Sequence, residues 1–65
     1  MGDSPIDAIR KALEREKAAY LGYVEYARSA VQPEVRDLFL YLAEEEKKHA
    51  KILTDEIEKE TLREM

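Results

Sequence analysis

Residues 27–39 read ARSAVQPEVRDLF, and the proline in this stretch decides the architecture. Pro33 has no N–H to continue a helical ladder, and it pushes Gln32 out of the α conformation. A helix arriving from the N-terminal side therefore stops around Ala30 to Gln32. Pro33 itself suits the first turn of a new helix, so the two helices are joined by a short turn. Upstream, Ile6, Ile9, Leu13, Glu16, Tyr20, Tyr23, Ala27 and Ala30 form a seam with unbroken steps of three and four. The seam starts behind a helix-entry signal: Ser4 can cap, Pro5 fits the first helical position, and Asp7 sits where a side chain can reach back to the cap. Downstream, Val35, Phe39, Leu42, Glu46, His49 and Leu53 repeat the pattern, with Leu38 and Ile52 widening the apolar face. The charged stretch from Asp55 to Glu64 is expected to fray. The expectation is a single all-α unit over residues 1–65, with helix one over about 5–31, a turn over about 31–33 and helix two over about 33–62.

Composition narrows the classes open to such a chain. Its 65 residues include no cysteine, so neither disulfides nor a thiolate metal site can stabilise it. Helix packing, self-association or a metal held by other ligands must do so. Charged residues at 40% and hydrophobic ones at 45% fit long amphipathic helices and exclude disorder and a β-fold. A net charge of −4 without a basic patch makes nucleic acid and anionic membranes poor partners and cations good ones. No apolar run is long enough to cross a membrane, and the N-terminus lacks signal-peptide regions. The location expected by default is the cytoplasm, or the interior of another cytoplasmic assembly.

A short connection makes the helices antiparallel neighbours, and this fixes which residues lie level. Glu16 and Glu46 are equidistant from position 31, and Glu16 and His49 from the point between 32 and 33. Both points coincide with the turn placed from Pro33 alone. At ~1.5 Å per residue the three groups share a level roughly 24 Å from the turn. Two helices leave each apolar stripe with an open flank, so a second copy is expected to complete a four-helix core as a two-fold homodimer.

Glu16, Glu46 and His49 are the strongly polar residues in the middle of these seams. Buried carboxylates without a compensating charge are costly. Two-fold symmetry would bring four carboxylates and two imidazoles to one centre, a set that can bridge a pair of divalent ions about 3.5–4 Å apart. Taken singly, a seam glutamate can simply set register, and a lone histidine on an apolar face is more often a satisfied core residue. Their common height distinguishes them. Glu44 reads as solvated surface and Glu45, one turn before His49, as surface or interface; the tyrosines at 20, 23, 26 and 41 read as packing residues.

Glu-x-x-His on one helix with a Glu from its neighbour is the pattern of ferritin-like di-iron proteins. The chain resembles the rubrerythrin-like branch of that superfamily over roughly Ile6 to Leu53, through Glu16, Ala19, Tyr23 and Ala27 on the first helix and Leu42, Ala43, Glu46, His49 and Ala50 on the second. It is also similar to the encapsulated ferritins, where each chain supplies a helical hairpin with half of a ferroxidase site. The resemblance implies that Glu16, Glu46 and His49 ligate two irons per dimer and that Tyr23 stands beside them as a catalytic-site residue. It also implies that dimers can form larger rings, housed with a shell protein in a nanocompartment. Manganese or zinc suits the same ligands. The function expected is a ferroxidase that oxidises Fe(II) with oxygen or peroxide. The alternatives are a peroxide reductase served by an external electron donor, and a non-catalytic structural hairpin.

Overall fold

The computed structural model describes residues 4–63. It consists of two helices, α1 over Pro5–Ser29 and α2 over Pro33–Arg63, packed side by side as an antiparallel hairpin. Among the described residues there is no strand, and no helix is long and apolar enough to cross a membrane.

Local chemistry sets the ends of the helices. Ser4 adopts an extended conformation and its hydroxyl accepts a hydrogen bond from the Asp7 backbone N–H at 3.2 Å, satisfying one of the free donors of the first turn. The Asp7 carboxylate lies 3.9 Å from the Arg10 guanidinium. At the other end of α1, Ala30 leaves the helix with its N–H bonded to Ala27 O at 3.3 Å, and the Arg36 guanidinium donates to Ala30 O at 3.3 Å. α1 thus ends at Ser29, slightly short of the expected stop. The reason is that residues Ala30 to Gln32 are all needed to reverse the chain before Pro33.

The distal part of α2 is helical through Arg63, within one residue of the expected end near residue 62. Antiparallel pairing places Ile57 level with the start of α1. Beyond it, the Thr61 hydroxyl donates to Ile57 O at 2.9 Å and Arg63 pairs with Glu60 at 3.0 Å. Glu64 lies outside the described residues.

The hairpin measures 49 × 23 × 11 Å over its Cα atoms, and its shortest extent is too small for two stacked helix layers, whose axes would lie about 8–10 Å apart with Cα atoms a further ~2.3 Å out on each side. A single layer cannot enclose a core. Among the described residues only Ala27 and Ala43 are buried, both small and placed where the helices approach closely. Aromatic contacts tie the turn end: the Phe39 ring stacks on Tyr23 at 6.1 Å and tilts against Tyr26 at 5.1 Å. These pairs obey the same height rule that levels Glu16 with Glu46.

The α2 seam turns slightly from the expected one. Ala43 is buried against α1 and Ala50 is half-buried, whereas Leu38 and Ile52 are 53% and 66% exposed. Small side chains allow the helix axes to approach, and the large apolar ones stand on a flank that a second layer could cover.

Candidate metal centre

Glu16 stands near the middle of α1, three residues past Leu13 and four before Tyr20, so the helix repeat turns it toward α2. On α2, Glu46 and His49 are one turn apart and face α1 at the same level. Straight-chain Glu is a good helix former, so two carboxylates at these positions leave the backbone undisturbed.

Glu16, Glu46 and His49 each present one potential ligand atom, and these atoms lie within 4.8 Å of one another. They are the sole such cluster of His, Cys, Asp or Glu among the described residues. His49 Nδ1 is 3.5 Å from Glu16 Oε2 and 3.8 Å from Glu46 Oε1. These separations are too long for good hydrogen bonds. The side chains differ in exposure, Glu46 at 18%, Glu16 at 27% and His49 at 52%, so the carboxylates sit between the helices and the imidazole at the flank.

Electrostatics mark the cluster as under-compensated. Glu16 Oε2 is buried and has no hydrogen-bond partner. The Glu46 carboxyl is held above its ordinary value of 4.5, first by a hydrogen bond shared with Glu16, then by burial and by the negative charge of Glu16; His49 pulls it the other way, and Glu45 adds to the rise. Two carboxylates facing one another across a helix pair disfavour each other's charge, which a cation between them would offset. The donor set suits a divalent metal of intermediate hardness, with carboxylate oxygens for charge and an imidazole for geometry. An orphaned carboxylate oxygen within reach of a second carboxylate and an imidazole satisfies the requirement for iron as well as for manganese or zinc.

The neighbouring acids play other parts. Glu45 is tied to Lys48 Nζ at 3.0 Å, a contact that raises the Lys48 ammonium above its ordinary value. Glu44 pairs with Lys47 at 3.6 Å on the exposed side, an interaction worth little.

The structure brings Glu16, Glu46 and His49 together, and the Tyr23 ring stacks on Phe39 of α2. Tyr20 is the tyrosine that walls the same groove as Glu16 and Glu46. Its position one turn after Glu16 was visible in the sequence.

Comparison with known proteins agrees with this arrangement. No curated protein and no solved structure matches the chain. The Rubrerythrin family model matches residues 7–65, which covers α2, all of α1 but Pro5 and Ile6, and all three clustered residues. A helical hairpin with Glu on one helix, Glu-x-x-His on the other and a family match over nearly its whole length belongs to the rubrerythrin family, within the ferritin-like superfamily.

Proposed function

We propose that two copies of the hairpin assemble into a four-helix bundle and oxidise Fe(II) to Fe(III) at a site to which each contributes Glu16, Glu46 and His49. The observation that carries this reading is the buried Glu16 Oε2, left without a donor beside a second carboxylate and an imidazole in a chain of the rubrerythrin family. Assembly is supported by the flank that carries His49. Around the α2 axis, His49 and Leu42 stand about 60° and 40° to one side of Glu46, and Leu38 and Ile52 extend that side as exposed apolar surface. A second hairpin laid on this flank covers it and doubles the ligand set.

The residues act as follows. Glu46 serves a cation as the ionised carboxylate, because ligating carboxylates must be deprotonated, and the cation offsets the negative charge of Glu16 that raises its pKa. Glu16 turns its unpartnered oxygen to the same cation. His49 provides a neutral nitrogen donor at the edge of the pair, where its exposure lets it serve a site shared between chains. Fe(II) is the substrate: four ions give one electron each to one dioxygen, which takes up four protons to become two waters, or two ions serve one peroxide. The carboxylates favour the product, since anionic oxygen ligands stabilise Fe(III) over Fe(II).

The test is to load the protein with Fe(II) without oxygen, mix with oxygenated buffer and follow the ferric absorbance, in the wild type and Glu46→Ala. Rapid oxidation abolished by the substitution is expected. Equal rates in the two proteins would refute the site. Slow reaction with oxygen but fast, repeated turnover with peroxide and a reductant would move the function to peroxide reduction.

A further inference from the structure

His49 turns one particular nitrogen to the carboxylates. Nδ1 lies 3.5 Å from Glu16 Oε2 and 3.8 Å from Glu46 Oε1, so Nδ1 is the atom placed to bind a cation between them. A neutral imidazole that gives one nitrogen's lone pair to a cation carries its proton on the other nitrogen. That nitrogen, Nε2, meets no acceptor among the described residues, and the side chain is 52% exposed. A ligating imidazole keeps its orientation when its remaining N–H is held by an acceptor.

We propose that Glu45 is a positioning residue, accepting the Nε2–H of His49 when Nδ1 binds a cation. The inference rests on the metal-site reading above and adds what orients its exposed ligand. Side chains on a helix lean back toward the N-terminus, so the His49 ring lies over the residues three and four before it. Those residues are Glu46 and Glu45. Around α2 they stand on opposite sides of His49, Glu46 about 60° inward and Glu45 about 40° outward. With Nδ1 directed to Glu46 and Glu16, Glu45 is the carboxylate on the outer side of the ring. Its head group is free to serve there. Lys48 Nζ donates to Glu45 Oε2 at 3.0 Å, which leaves Oε1 available. The Lys48 side chain is 72% exposed, and such a surface pair holds a carboxylate weakly. A hydrogen bond from a cation-bound imidazole to a carboxylate is charge-assisted and stronger. A rotation of the Glu45 side chain is the one movement required. The negative charge of Glu45 is also felt at Glu46, as expected of a carboxylate standing close to the cluster.

The experiment uses the full chain loaded with Zn(II), which is diamagnetic. His49 is the one histidine in the sequence, so its side-chain nitrogens are identified in a ¹⁵N NMR spectrum without assignment. In the wild type, Zn(II) should bind Nδ1, and the Nε2–H should exchange slowly with water. Glu45→Ala should speed that exchange several-fold and weaken Zn(II) binding by about 10–100-fold. Lys48→Ala breaks the same ion pair but keeps Glu45, and should retain both the slow exchange and the wild-type affinity. Zn(II) on Nε2, exchange unchanged in Glu45→Ala, or an equal loss in Lys48→Ala would each overturn the role of Glu45 while leaving the metal site standing. Failure of the wild type to bind Zn(II) would bring down the site and the positioning role together.

Discussion

Glu46 carries the most informative residue-scale consequence, because its carboxyl is held above 4.5 by Glu16 and by burial. A carboxyl whose pKa is raised on folding contributes stability that is fully present below the unfolded value and is lost as pH rises through the folded one. Metal-free Glu46→Gln should therefore melt at a higher temperature than the wild type near neutral pH, and the difference should vanish as pH falls toward about 4.5. Adding Zn(II) should reverse the order, since a metal that binds only the folded protein stabilises the wild type and not the variant. Thermal melts at several pH values, with and without Zn(II), check both statements. The three clustered residues were legible in the sequence because their height depends only on the turn position and the rise per residue. The ring contacts of Phe39 with Tyr23 and Tyr26 were not legible, since the tyrosines were read only as packing residues without named partners.

Helix-scale expectations divide in the same way. Pro33 and the Ser4–Pro5 entry placed the helix starts, because a proline acts through its own covalent geometry. The end of α2 at Arg63 falls next to the expected end near residue 62, and within the charged stretch the Thr61 hydroxyl donates to Ile57 O and Arg63 pairs with Glu60. The facing of Leu42 and Ala43 was also hidden, since hydropathy favours Leu as the inward residue whereas close approach of two helices selects Ala. Ala43→Leu should consequently destabilise the hairpin by about 1–3 kcal/mol through overpacking, measurable by chemical denaturation. Ser4→Ala should cost about 1 kcal/mol through the lost cap, while leaving metal affinity untouched because the cap lies a dozen residues from Glu16.

At the scale of the whole molecule, a thin hairpin with two buried alanines among its described residues would gain its core from the second layer of the proposed assembly. The account predicts that stability rises with protein concentration, as it does for chains whose folding and association are linked. Leu38→Asp combined with Ile52→Asp should yield a less stable monomer by sedimentation, whereas Leu40→Asp, on the opposite side of α2 beside Val24 and Arg36, should leave the assembly intact. The central claim is that Glu16, Glu46 and His49 of two chains hold metal together. Its most direct test is native mass spectrometry of the wild type and His49→Ala titrated with Fe(II) in the absence of oxygen. Dimers carrying a pair of irons, with bare monomers beside them and no metal retained by His49→Ala, are the predicted result. Iron held equally by monomers, or no saturable binding in the wild type, would contradict it.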